Sequence, residues 1–162
     1  MDLVELLMSE HATLRVYLRH LREMKFDSFF ELDDFVVNCH AKMEDDALFP
    51  VLVKSVSNPT VSQVTKRLED EHELLKMLSN SIRVSMAEEK AELDKNKVAL
   101  YADTLESHNI SEEKTVFKDW KAVDKGERER ASMQAMEIIK SFGLERYLRV
   151  TGFSQEFLSL LQ

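Results

Sequence analysis

The chain has 162 residues, enough for a single domain that buries a core without disulfides or metal staples. Its net charge of −8, with Lys and Arg scattered, offers no basic patch to neutralise nucleic-acid or anionic-membrane phosphates. Apolar residues make up 44%, charged residues 32%, and there are three Gly, two Pro and a lone cysteine, which favours a helix-rich chain in a reducing compartment over a turn-rich or disulfide-bonded one.

No signal-peptide pattern opens the chain, and no apolar run approaches the roughly 20 residues of a transmembrane helix. The expectation is therefore a cytoplasmic, all-α protein. In chain order, Leu3, Leu6, Leu7, His11, Leu14, Leu18 and Leu21 recur at intervals of three and four and predict a first helix over residues 2 to about 24. His20 lies about half a turn off this stripe. Ser28 with Glu31 three residues on reads as a capping box for a second helix to about Ser57. Its face is Leu32, Val36, Cys39, His40, Met43, Glu44, Ala47 and Val51, and Pro50 predicts a kink or break near residues 46 to 50.

Asn58-Pro59-Thr60 is a cap and first-turn proline for a third helix to about Met86, with the stripe Val61, Val64, Thr65, Leu68, His72, Leu75, Ser79 and Ile82. Residues 87 to 97 are rich in Glu and Lys without apolar periodicity and fit either a short connection or an exposed helix start. A fourth helix runs from Val98 through Tyr101, Leu105, His108, Glu112 and Val116 to Trp120, and Asp124-Lys-Gly126 is expected to end it. Residues 127 to 162 read as short amphipathic pieces, with Gly143 as a C-terminal cap. They either fold back on the bundle or form an interface, including one between two copies of the chain.

Short connections between four helices most easily make an antiparallel up-down-up-down bundle, with sites built from facing side chains. Residues 1–122 form that bundle and 123–162 an extension. His11 and His72 then face inward from the first and third helices. The second and fourth carry His40-x-x-x-Glu44 and His108-x-x-x-Glu112, each pair about one turn apart on one face. The order is duplicated, since an aliphatic residue and a Phe follow four and five residues after each Glu, as Leu48-Phe49 and Val116-Phe117. A lone inward histidine is ordinarily a satisfied core residue. Four of them with two carboxylates are a costly set of buried polar groups unless cations pair them. Six ligands exceed one tetrahedral zinc, so two metals with both Glu bridging is the simplest assignment. The two carboxylates meet only half the charge of two divalent ions, which leaves room for oxide, hydroxide, water or an exogenous small ligand.

These motifs, together with Glu71-His72-Glu-Leu-Leu and Leu48-Phe49-Pro50, resemble the hemerythrin-like, or HHE cation-binding, family over about residues 1 to 122. The resemblance implies a four-helix bundle around two non-haem iron ions with a bridging oxo or hydroxo group, His11, His40, His72 and His108 being terminal ligands and Glu44 and Glu112 bridges. Oxygen-carrying members have a further histidine one turn from the position of His72. Here those places hold Leu68 and Lys76, which leaves an open site or recruits Glu69.

Glu10 and Glu71 are read mainly as helix-surface charges and secondarily as acceptors for imidazole N–H groups. Tyr101 and Cys39 are read as packing residues. The leading functional expectation is binding of dioxygen or a related diatomic or peroxide for storage, sensing or detoxification. The alternatives are a di-iron enzyme acting on peroxide or nitric oxide, an iron donor for iron–sulfur repair, or an iron- or oxygen-responsive regulatory module. No separate acid–base pair or nucleophile is evident, which favours a non-enzymatic role.

Overall fold

The computed structural model describes residues 1–21, 26–89 and 94–161, and among these every regular element is helical, as composition and periodicity predict. Helix α1 (Leu3–His20) starts from a reciprocal cap that the stripe alone does not reveal. Asp2 accepts the Glu5 backbone N–H, and Glu5 accepts that of Asp2 at 2.8 Å. Leu3, Leu6, Leu7, Glu10, His11 and Leu14 form its buried face. The expected extension to residue 24 passes Leu21 into residues outside those described.

The second helical path runs over 26–55 in five stretches: α2 (Phe26–Phe35), a π turn (Val36–His40), α3 (Ala41–Met43), a second π turn (Glu44–Leu48) and α4 (Phe49–Ser55). The proposed Ser28 cap is overturned, because the helix has already begun at Phe26 and Ser28 lies inside it, exposed. Glu31 is instead engaged by Arg149 at 2.6 Å. Pro50 does not break the path. The π turn ahead of it lets the Phe49 N–H reach the Glu44 carbonyl. The Asp46 carbonyl, whose intrahelical donor Pro50 lacks, accepts the Gln134 side-chain amide at 2.9 Å. One π turn ends on His40 and the other begins on Glu44, so the extra residues re-aim both side chains.

Helix α5 (Pro59–Glu89) opens as predicted, with Asn58 Oδ1 accepting the Thr60 N–H at 3.0 Å. Helix α6 (Lys95–Thr115) opens on Asp94, whose carboxylate accepts two backbone N–H groups; residues 90–93 of the Glu- and Lys-rich stretch lie outside those described. Beyond Thr115 the chain tightens into a 3-10 turn (Phe117–Ala122). Asp124 does not end the fourth helix. It opens the next, accepting the Gly126 N–H at 2.8 Å at the head of α7 (Lys125–Phe142). At 18 residues α7 is also longer than the short pieces expected there.

Gly143, with φ of 108°, ends α7 as predicted and gives its N–H to Ile139 O at 3.0 Å. Two short helices follow, α8 (Leu144–Thr151) and α9 (Gln155–Leu158). Helix α7 buries Ala131, Ala135, Ile138 and Ile139. Helix α8 lies across the first two helical paths: the Tyr17 hydroxyl donates to Val150 O at 2.9 Å, Thr13 to Thr151 O at 3.3 Å, and Arg146 pairs with Asp34. One continuous core cluster takes side chains from Leu3 to Leu158. No helix among the described residues is long and apolar enough to cross a membrane.

Candidate metal centre

Each of the six predicted residues sits on the inward stripe of its helix, and all six are at most 2% exposed. The four imidazoles meet in two facing pairs. His11 Nε2 is 3.2 Å from His40 Nε2, and His72 Nε2 is 2.8 Å from His108 Nε2. Glu44 spans the pairs: Oε1 lies 3.3 Å from His40 Nε2 and 3.7 Å from His11 Nε2, while Oε2 lies 3.2 Å from His72 Nε2. Glu112 spans them from the other side, with Oε2 3.4 Å from both His11 Nε2 and His108 Nε2. Two groups result, His11, His40, Glu44 and Glu112, and Glu44, His72, His108 and Glu112. Within each, one donor atom per residue lies within 4.8 Å of every other.

All four oxygens of Glu44 and Glu112 are buried without a hydrogen-bond partner among the described residues. Two buried carboxylates left this way are costly in a protein interior. Nitrogen and oxygen donors converging on the same space fit a pair of cations. The duplicated Phe supplies matching apolar walls. Phe49 stacks parallel to His72 with centroids 6.1 Å apart, and Phe117 stacks on His11 at 5.3 Å.

Outside the imidazoles runs a closed ring of acids. Glu10 on α1 accepts His40 Nδ1–H at 2.6 Å, and Asp45 on the second path accepts that of His72 at 2.8 Å. Glu71 on α5 accepts that of His108 at 2.9 Å, and Glu113 on α6 accepts that of His11 at 2.9 Å. Each helix thus orients the histidine of the next. Holding a proton on every Nδ1 turns each Nε2 lone pair inward, the arrangement that metal-ligating histidines need. Glu10 and Glu71 are therefore not surface charges, and they serve histidines other than their sequence neighbours. Sequence reasoning missed Asp45 and Glu113, although a signal was present: every acid of the ring is adjacent in the chain to one of the six inner residues.

Four of the inner groups are shifted from their ordinary pKa values. Burial pulls the His72 pKa down, but the Asp45 and Glu44 carboxylates outweigh it and hold it at about 10. Burial likewise opposes, and Glu112 and Glu71 overcome it, in holding His108 at about 9. His11 is raised well above 6.5, its burial outweighed by Glu112, Glu113 and Glu44. Burial raises Glu44, yet His40, His11 and His72 bring it well below the usual carboxylate range.

The positions considered for a missing fifth histidine stand apart. Leu68 is in the core, Lys76 turns to Glu73 at 2.6 Å, and Glu69 pairs with Lys66 at 3.6 Å on the exposed side. Tyr101 is buried edge-on against Phe29, and His20 is exposed. Cys39 is buried, and burial with the Glu10 and Asp34 charges pushes its thiol pKa far up, so it stays a thiol. Residues 2–120 match a family model described as the hemerythrin HHE cation binding domain. Searches of curated proteins and of solved structures return no match.

Proposed function

The chain belongs to the hemerythrin HHE cation-binding family, and from that premise we propose that it is a non-haem di-iron protein that binds dioxygen or a related small ligand. His11 and His40 would hold one ion and His72 and His108 the other, with Glu44 and Glu112 available to both. The observation that carries this reading is the pair of carboxylates whose four oxygens have no hydrogen-bond partner among the described residues and which lie between two facing histidine pairs. When bound, paired irons supply redox-active centres with exchangeable coordination positions.

The residues of the chain do the rest. Glu10, Asp45, Glu71 and Glu113 fix the tautomer of the histidines, Phe49 and Phe117 exclude water from two of the rings, and the buried carboxylates offset the cationic charge. Four protein donors for each ion, with Leu68, Glu69 and Lys76 turned elsewhere, leave positions for an exogenous ligand. We read residues 1–122 as the up-down-up-down bundle and 123–162 as an extension laid on it, supported by the Tyr17, Thr13 and Gln134 contacts.

The test is to load the metal-free protein with ferrous iron anaerobically and then admit air. The proposal expects two irons per chain and a near-ultraviolet charge-transfer band after exposure, bleached again by evacuation if binding is reversible. Absence of both iron and band rejects it, and many turnovers of peroxide or nitric oxide per chain would move the reading to an enzyme.

A further inference from the structure

Among the four outer acids, Glu10 is held differently from the rest. Glu71 meets Arg67 at 2.7 Å, Glu113 meets Arg15, and the Asp45 side chain is 29% exposed. Glu10 is fully buried, and its partners among the described residues are His40 and Tyr147. Tyr147 lies on α8, beyond the region that matches the family model. Its hydroxyl is 2.5 Å from Glu10 Oε1, while Glu10 Oε2 accepts His40 Nδ1–H.

The phenol ring is locked in place. It is fully buried and packs edge-on against Phe35 at 5.9 Å and Phe153 at 6.3 Å. On either side of it, Arg146 pairs with Asp34 and Arg149 with Glu31, while Val150 O and Thr151 O accept the hydroxyls of Tyr17 and Thr13. Helix α8 is thus fastened to the first two helical paths, the ones that bear His11 and His40.

We propose that Tyr147 is a positioning residue of the His11–His40 cation position: its hydroxyl holds Glu10 so that Glu10 orients His40, which makes one of the two cation positions depend on the C-terminal extension. This rests on the two-metal reading above. Without the hydroxyl, Glu10 Oε1 is a buried acceptor with no donor, and the carboxylate turns to find one. His40 then loses the acceptor that keeps its proton on Nδ1, and its Nε2 lone pair is no longer fixed toward the centre. His72 and His108 rely on Asp45 and Glu71 and are untouched. The two positions are therefore matched in their inner ligands and inequivalent in their support.

Titration of the metal-free full chain with cobalt(II) under nitrogen, followed by visible absorption, tests this. Wild-type protein binds two ions. Tyr147→Phe keeps one at wild-type affinity and weakens the other by about tenfold to a hundredfold, the usual cost of removing outer support from a metal-binding histidine. Glu10→Gln weakens the same single ion, and the double variant is no worse than Glu10→Gln alone, because both act through His40. Unchanged affinities in Tyr147→Phe overturn the proposal, as do equal losses at both positions, which mark a general structural role. If Tyr147→Phe fails to fold by circular dichroism, Glu10→Gln alone decides: selective loss of one ion supports the proposal, and two unchanged ions overturn it. Failure of the wild-type chain to bind two cobalt ions rejects the two-metal reading itself, a separate outcome.

Discussion

Metal uptake by this protein should expel protons. The Nε2 atoms of His72 and His108 are 2.8 Å apart and those of His11 and His40 3.2 Å, and any proton on these nitrogens must leave before they can hold a cation. Against burial, the carboxylates around the rings keep His72 at about 10, His108 at about 9 and His11 well above its ordinary value. At pH 7 the imidazoles so raised are protonated, and loading two ions releases protons from them. Apparent affinity for the ion at His72 and His108 then rises with pH between pH 7 and 9 and levels off above about pH 10, where those two rings have lost their extra protons. Calorimetric titration with redox-silent zinc(II), repeated in buffers of different ionisation enthalpy, counts the released protons. Zero release at pH 7, or equal release at pH 7 and pH 10, would refute the reasoning.

The same shifts set the stability of the metal-free chain. The raised histidines contribute stability that is whole below pH 6.5 and disappears as pH climbs through 9 to 10. The lowered Glu44 contributes above about pH 4.5 and is lost as pH falls through its depressed value. The melting temperature of the metal-free protein should therefore fall between pH 7 and 10, and that of the loaded protein should hold over the same range. Glu44→Gln should weaken both ions together, because Glu44 faces both pairs; loss of one ion alone in equilibrium dialysis would contradict its bridging position. Gln134→Ala leaves the Asp46 carbonyl without its side-chain donor and should cost about 1 kcal/mol in denaturant unfolding. Phe117→Ala removes the buried ring stacked on His11 and should cost about 3–5 kcal/mol, and a loss below 1 kcal/mol would show that the ring is not packed there.

Much of the site was legible because its inner residues obey helical periodicity. His11, His40, His72 and His108 sit on apolar stripes, and an inward stripe fixes which side chains meet. Local rules served less well where tertiary contacts intervene. Ser28 has the right spacing for a cap, yet the helix starts before it, and Glu31 finds Arg149 from a distant helix. Pro50 forbids one backbone bond, but a π turn and Gln134 absorb the loss, and neither is encoded near the proline. Asp124 is a good cap whose direction the sequence leaves ambiguous, and it begins α7.

The ring of acids was hidden for a related reason. A carboxylate beside a ligand points about 100° away from it around the helix, so its partner belongs to the next helix, and only the packing shows which. Tyr147 is the extreme case, 137 positions along the chain from Glu10.

The number of irons retained per chain tests the proposed di-iron centre most directly. Iron analysis of anaerobically loaded, desalted protein should give two per chain for the wild type, about one for His11→Ala and for His72→Ala, and little for Glu44→Gln paired with Glu112→Gln. A wild-type chain that retains no iron, or variants that retain as much as the wild type, would contradict it.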